Sequence, residues 1–274
     1  MNVPSFQLYH MVCYHRHMIF AYYLLNIIQA VAEFLPISSS GHLIITEWLY
    51  GISEHGLEAF LHLPTALAIF LVFFSTFIAI LKDKKTWTIL LVAIIPAGIV
   101  GLLWGDALDA IFYSPIVVGI NQIFWGGIMW WTAMNYHKHT GEIKTTWKHL
   151  TWVQGLKIGF AQVLALIPGT SRSGITTLAG IWQGLNPSQS ATFSFLSGFP
   201  LIAAASAVGF LKLAKEGNIL STLPVTTLLL GMGLSVVLSI VFAKLFTSKH
   251  TLTVMKVSGI YRLILGFLIL VWLT

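Results

Sequence analysis

The sequence predicts an all-α integral membrane protein in which six transmembrane helices and two re-entrant helix-loop-helix hairpins form an inverted-topology repeat. Its composition, the lengths of its apolar segments and a motif that occurs twice all favour this fold. Apolar residues make up 57% of the 274-residue chain and charged residues only 9%, with a mean hydropathy of +0.84. Soluble globular domains carry about 25% charged residues, so a water-soluble globule is excluded.

The net charge of +6 would suggest nucleic-acid binding if the protein were a soluble domain. Here most of the basic residues lie in short loops between apolar segments, where they orient the chain in a membrane. We therefore expect the bilayer as a partner and no binding to nucleic acid. The single cysteine, Cys13, excludes an internal disulfide and a thiolate metal cluster.

Six apolar segments have the length of about 20 residues that a helix needs to cross a bilayer. They are residues 57–81, 87–104, 115–134, 191–214, 219–243 and 257–273. Two further apolar regions, 18–50 and 152–186, are interrupted in the middle by "PISSSG" and "PGTSRSG". Non-helical backbone at membrane depth is tolerated only where it is buried in protein or lines a cavity. We predict that both regions are re-entrant hairpins that do not cross the membrane.

The loop charges then orient the chain. Three loops, 82–86, 135–151 and 244–256, lie on the same side of the predicted membrane and hold nine of the fifteen basic residues. Because cytoplasmic loops carry the excess of Lys and Arg, we expect these loops in the cytoplasm and both termini outside. The first hairpin would then enter from outside and the second from the cytoplasm.

The two halves of the chain resemble each other. "QAVAEFLPISSSG" (29–41) and "QVLALIPGTSRSG" (162–174) begin 133 positions apart, and three predicted spans follow each of them. Because the two halves start on opposite sides of the membrane, they form an inverted-topology repeat, whose interrupted helices build a site near the midplane. We predict a single membrane domain over 1–274, with repeats at 18–134 and 152–273.

Each hairpin contains one charged residue at membrane depth. Glu33 is the only one between Arg16 and Glu47, and Arg172 is the only one between Lys157 and Lys212. A charge at the bilayer centre costs about 2.5–3.5 kcal/mol on insertion scales and usually faces a partner or a cavity. We expect the two residues to pair. A purely structural salt bridge between the hairpins is the alternative.

The residues around this pair favour chemistry on a phosphate. Arg172 can bind phosphate oxygens with two donors at once, and small residues around it allow backbone amides to converge. On the other hairpin Glu33, Ser39 and His42 offer a base and a nucleophile. The predicted catalytic residues are Glu33, Ser39, His42 and Arg172. The predicted substrate-binding residues are Gln29, Ser38, Ser40, Gly41, Gly169, Thr170, Ser171, Ser173 and Gly174.

The motifs "QAVAEFLPISSSGHLI" and "LALIPGTSRSG", together with "IYRLILG" (260–266), resemble the undecaprenyl-diphosphate phosphatase family of the bacitracin-resistance type. The resemblance covers nearly the whole chain. It implies an enzyme of the bacterial inner membrane that hydrolyses undecaprenyl diphosphate to undecaprenyl phosphate and phosphate. This reaction recycles the lipid carrier of cell-wall synthesis and confers bacitracin resistance. The family also implies the inverted-repeat fold, an active site that faces the periplasm and dependence on a divalent cation.

Position by position, Glu33 resembles the second acid of the family's acidic signature and Ser39 its proposed nucleophile. His42 resembles the catalytic histidine and Arg172 the phosphate-binding arginine. The chain departs from many members at Gln29, where they have glutamate. With one carboxylate, Glu33, as a candidate ligand, we expect Mg²⁺, or Ca²⁺ as the alternative, to be held largely by substrate phosphates and water.

The sequence leaves several alternatives open. Either Glu33 or His42 could be the base for Ser39, and His42 could itself be the nucleophile. A transporter or flippase of an anionic polyprenyl lipid is the alternative function, because secondary transporters also use inverted repeats with broken helices. A scaffold or channel without chemistry is a third interpretation. The oligomeric state also stays open, with a homodimer as one candidate.

Overall fold

The computed structural model describes residues 5–50, 57–136, 146–216 and 223–273. Within these ranges the chain forms eleven α-helices and no β-strand. The helices are α1 (Ser5–Phe34), α2 (Ser39–Tyr50), α3 (Leu57–Val72), α4 (Phe74–Ile80), α5 (Lys84–Phe112), α6 (Pro115–Asn135), α7 (Trp152–Leu164), α8 (Arg172–Trp182), α9 (Pro187–Glu216), α10 (Val225–Phe246) and α11 (Thr251–Leu273). A short 3₁₀ turn at Trp147–His149 precedes α7.

The helices are those of a multi-pass membrane protein. Five of those described are long and apolar enough to cross a bilayer, or six if the bent pair α3 and α4 counts as one span. Large apolar side chains such as Leu102, Ile111 and Phe160 are exposed on the outer faces of the bundle. Exposed apolar surface of this extent marks contact with a membrane or another apolar partner.

The helices that are both long and apolar enough to cross a bilayer differ from the six predicted spans in two places. Residues His17–Phe34 of α1 are one of the five, although the sequence predicts them as half of a re-entrant hairpin. The 21-residue α6, which contains Asn121 and Gln122, is not one of them. The predicted span 57–81 contains a 70° bend at Phe73, between α3 and α4. Residues 137–145 of the predicted loop 135–151 lie outside the described residues.

Both interrupted regions break where the sequence predicts. The helices α2, α7 and α8 have 12, 13 and 11 residues. At 1.5 Å per residue they are about 17–20 Å long, well short of the ~30 Å hydrocarbon core. Three of the four hairpin arms are therefore too short to cross a bilayer alone.

Two pairs of helices pack closely. α3 and α9, which follow the two interrupted regions, lie against each other, and so do α6 and α11. Phe34, the last residue of α1, is buried against Phe195 of α9, with ring centroids 5.1 Å apart. Phe73 packs on the same ring at 6.1 Å. These contacts hold the end of α1, and therefore Glu33, beside α9.

Candidate active site

The repeated motif folds into the same turn twice. Ser38 and Ser171 have positive φ values of 74° and 73°. Such a conformation costs a residue other than glycine about 1–3 kcal/mol. Each serine precedes the first residue of a helix, α2 or α8, and its Oγ accepts a hydrogen bond from the amide of Gly41 or Gly174 at 3.3 Å. Two helices with equivalent N-termini therefore begin at the two loops.

Glu33 joins the two hairpins. Its Oε1 accepts a hydrogen bond from Nη2 of Arg172 at 2.6 Å, and its Oε2 accepts one from Oγ of Ser39 at 2.7 Å. Ser39 and Arg172 are the first residues of α2 and α8, so they occupy equivalent positions in the two copies of the motif. One copy thus supplies a hydroxyl and the other a guanidinium at this position, and the buried acid bridges them.

Two more side chains contact the same carboxylate. Nε2 of His62, on α3, lies 3.3 Å from Oε2 of Glu33. Nε2 in the side chain of Gln29, one turn earlier on α1, donates to Oε2 at 3.3 Å. Because an ionised carboxylate only accepts hydrogen bonds, each of these nitrogens carries the hydrogen. Four donors from four helices therefore surround Glu33.

Arg172 is held from the opposite side by α9. Its Nη1 donates to the backbone oxygen of Ser194 at 3.0 Å. Gly198, one turn further along α9, faces the guanidinium so closely that an added Cβ would overlap Nη1 and Cζ. The guanidinium has five N–H donors, and its bonds to Glu33 and Ser194 use two of them. The others can serve an oxyanion.

His42 lies on a different side of the first loop. Its Nδ1 donates to the backbone oxygen of Ser38 at 2.7 Å, and its Nε2 lies 2.7 Å from Oη of Tyr261 on α11. The two rings stack with centroids 5.7 Å apart. Because a carbonyl oxygen only accepts, a neutral His42 carries its hydrogen on Nδ1 and accepts from the tyrosine hydroxyl. Neither Glu33 nor Ser39 is among the hydrogen-bond partners that the described residues offer His42.

Arg262 of α11 holds both loops by their backbone. Its Nη1 donates to the oxygens of Pro36 and Thr170, each at 3.1 Å. Its Nη2 donates to the oxygens of Gly169 at 2.5 Å and Asn121 at 3.2 Å. The side chain is completely buried. Arg262 therefore links the first loop, the second loop and α6 in one hydrogen-bonded unit.

The polar residues of α6 complete this attachment. Asn121 donates to the oxygen of Pro168 and Gln122 to the oxygen of Ile37, both at 2.9 Å. Gly169 has φ of 88°, and an added Cβ would lie 2.9 Å from Cβ of Asn121. The loop can approach α6 this closely only with glycine there. The loop carbonyls are thus bound by α6 and α11.

The first-turn amides of α2 and α8 complete the site. The first amides of a helix have no acceptor within it, and the positive end of the helix dipole favours an anion there. Two such ends meet beside Arg172 and Ser39. Ser40 and Ser173 follow directly in the chain. Oγ of Ser40 lies 3.4 Å from Oγ of Ser38, and Oγ of Ser173 lies 3.4 Å from Oγ of Ser171. The arrangement suits a tetrahedral phosphoryl group with several negative oxygens.

A divalent cation held by side chains alone does not fit this site. In the part of the chain that the structure describes, no three His, Cys, Asp or Glu side chains are grouped to hold a metal ion. Both oxygens of Glu33 are already bonded to protein donors. For Glu33 to be a metal ligand, as the sequence predicts, the cation would have to compete with these donors for the carboxylate oxygens.

Sequence reasoning missed His62, Tyr261 and Arg262. Arg262 lies inside the apolar segment 257–273, so the rule that selected Glu33 and Arg172 would have selected it too. His62 is likewise a polar residue within the apolar segment 57–81. Tyr261 adjoins Arg262 in the motif "IYRLILG", but nothing in the sequence pairs it with His42.

Comparison with known proteins identifies the family. Residues 22–268 match the family described as bacitracin resistance protein BacA. The undecaprenyl-diphosphatase of Chromohalobacter salexigens is 34% identical over 264 residues, which cover 90% of this chain and 96% of that protein. Undecaprenyl-diphosphatase 1 of Pseudoalteromonas translucida is 35% identical over 266 residues, 91% of this chain and 97% of that protein. Undecaprenyl-diphosphatase 2 of Stutzerimonas stutzeri is 36% identical over 267 residues, 90% of this chain and 95% of that protein. These matches confirm the resemblance seen in the motifs, and the chain belongs to the bacitracin resistance protein BacA family.

Proposed function

We propose that this protein is an undecaprenyl-diphosphatase, which hydrolyses undecaprenyl diphosphate to undecaprenyl phosphate and inorganic phosphate. It thereby recycles the lipid carrier of cell-wall synthesis and confers bacitracin resistance. The observation that carries the proposal is the contact of Glu33 with both Ser39 and Arg172 at two converging helix N-termini. The names of its relatives, which match over most of the chain, support the same activity.

The terminal phosphoryl group of the substrate would bind between the N-termini of α2 and α8. Arg172 and the first-turn amides would bind its oxygens and stabilise the charge that develops during transfer. Phosphoryl transfer depends mainly on such positioning and electrostatic stabilisation. When the substrate binds, its phosphate attracts Arg172 and competes with Glu33 for the guanidinium.

Ser39 is the nucleophile and Glu33 its base. The Oγ of Ser39 attacks the terminal phosphorus, and its proton passes to Oε2 of Glu33, 2.7 Å away. The bond from the terminal phosphorus to the bridging oxygen breaks and undecaprenyl phosphate leaves. His42 is not the base in this mechanism, because its two nitrogens face Ser38 and Tyr261.

The second step releases phosphate. Water attacks the phosphorus of phosphorylated Ser39. The oxygen and both hydrogens of this water leave with the phosphate as H₂PO₄⁻. The proton held by Glu33 returns to Oγ of Ser39 as the phosphorus–oxygen bond breaks. The enzyme regains its starting protonation, as a single acid–base residue requires over a two-step displacement.

Dependence on Mg²⁺ or Ca²⁺ stays a prediction. Because the donor set does not fit a cation bound by side chains, we propose that such an ion arrives with the substrate phosphates and keeps water among its ligands.

The membrane arrangement is part of the proposal. Six spans and two re-entrant hairpins would form one domain of two inverted repeats, 18–134 and 152–273, in a bacterial inner membrane. The lysine-rich loops would face the cytoplasm and the active site the periplasm. The partners are the polyprenyl diphosphate lipid and the bilayer. A homodimer and the absence of nucleic-acid binding stay predictions.

The test is phosphate release from a polyprenyl diphosphate by the purified full-length protein in detergent. Ser39→Ala should abolish turnover and still bind substrate, because it removes only the attacking oxygen. Ser40→Ala is the comparison variant and should have a milder effect, because Ser40 is not the attacking residue. A transporter or flippase has no need of a nucleophile, so a wild type without phosphate release would favour that function instead. Equal small losses in both variants would mean that Ser39 belongs to a loop and is not the nucleophile.

A further inference from the structure

The contact between His62 and Glu33 comes from a helix that lies outside both hairpins. His62 belongs to α3, and its Nε2 lies 3.3 Å from the carboxylate oxygen to which Ser39 donates. Its side chain is only 18% exposed. Gln29 donates to the same oxygen at a similar distance, but it lies on α1 one turn from Glu33. Apart from Ser39 itself, His62 is the only partner of this oxygen among the described residues that lies on a helix other than α1.

The role of this bond follows from the demands of the reaction. In the structure Arg172 donates to Oε1 of Glu33, whereas a bound diphosphate would attract the guanidinium. Once Arg172 turns to the phosphate, Oε1 loses its strongest partner and the carboxylate could rotate. The base must nevertheless stay within hydrogen-bond reach of the attacking hydroxyl.

We propose that His62 is a positioning residue that keeps Oε2 of Glu33 against Oγ of Ser39 while Arg172 is engaged by the substrate. This inference rests on the proposed phosphatase function. His62 acts through Glu33 and does not touch the reacting phosphorus. The chemistry it supplies is an N–H donor held by α3 at a fixed distance from the base. A side chain that reaches the same point with a donor should therefore replace it.

The experiment compares three substitutions in the purified full-length protein. His62→Gln carries a donor that reaches about as far as Nε2, His62→Asn keeps a polar amide that is too short, and His62→Leu keeps apolar bulk without a donor. His149→Leu, at an exposed histidine outside the site, is the matched control. The measurements are kcat and KM for phosphate release from a polyprenyl diphosphate, with the melting temperature in detergent.

We expect His62→Leu and His62→Asn to lose kcat by about 10- to 100-fold, which equals about 1.4–2.7 kcal/mol at 1.36 kcal/mol per tenfold. A hydrogen bond to a charged group is of this size. KM should change little, because substrate contacts are kept. His62→Gln should regain most of the lost kcat, and His149→Leu should behave as wild type.

Other outcomes would overturn the role. Wild-type kcat in all three variants would mean that Glu33 needs no help from α3. Equal losses in all three variants, with lower melting temperatures, would make His62 a packing residue. A raised KM with unchanged kcat would make it a substrate contact. If the wild type released phosphate but the variants gave one of these other outcomes, only the role of His62 would be overturned. A wild type that released no phosphate would overturn both that role and the phosphatase function.

Discussion

The strongest structural prediction concerns Arg262, which we would replace by lysine. The guanidinium fork donates to four backbone oxygens on three segments, the two hairpin loops and α6. Lysine keeps the positive charge but offers three donors from a single nitrogen on a flexible stem. It cannot reach all four oxygens, so one or two buried carbonyls should lose their donor.

The expected loss is large for a change that conserves charge. A buried polar group left without a partner costs about 1–3 kcal/mol, so one or two of them amount to about 1–6 kcal/mol of stability. Because Arg262 links loops that carry Ser39 and Arg172, the loss should fall on the active site as well. We expect a lower melting temperature in detergent together with lower kcat.

The matched control is Lys256→Met, which removes an exposed cation from the same helix, α11. Thermal unfolding of both variants in the same detergent is the assay, followed by phosphate release below the melting temperature. The control should melt within a few degrees of wild type. An Arg262→Lys protein as stable and as active as the control would refute the idea that the fork holds the loops together.

Two further predictions test the arginine pocket and the membrane orientation. Gly198→Ala should lower activity by about 100-fold, as expected when a positioning group is displaced by about 1 Å, because the new Cβ would overlap the guanidinium of Arg172. The control is Gly233→Ala, where an added Cβ meets nothing within 4 Å. Both variants are measured in the same phosphate-release assay, and equal activity of the two would contradict the overlap with Arg172. A reporter active only in the cytoplasm should give signal when fused after Lys85 and none near Asp106. Signal at Asp106 would reverse the orientation and put the site on the cytoplasmic side.

The sequence alone was enough to predict an all-helical membrane protein and the central ion pair, whereas the arrangement of six spans and two re-entrant hairpins stays a prediction. Composition predicts a membrane protein because few charged residues remain to face water. Proline, glycine and serine predict the two breaks because they end helices, and both breaks occur at the predicted motifs. The pairing of Glu33 with Arg172 was predictable because an isolated charge at membrane depth requires a partner, and the ion pair is present at 2.6 Å.

The choice between Glu33 and His42 as the partner of Ser39 needed the tertiary structure. Both residues lie within six positions of Ser39 in the chain, so spacing alone could not separate them. Packing turns His42 toward Tyr261 of α11, 219 residues away, and turns Glu33 toward Ser39. Where a side chain points depends on the neighbouring helices, which local sequence does not specify.

The attachment of the loops was likewise decided in three dimensions. Arg262 donates to the oxygen of Pro36, 226 positions away, and His62 reaches Glu33 from a helix outside either hairpin. A sequence shows which polar residues lie in apolar segments and therefore need partners. It does not show which backbone oxygen or carboxylate each one meets, because those distances follow from how α3, α6, α9 and α11 pack around the two loops.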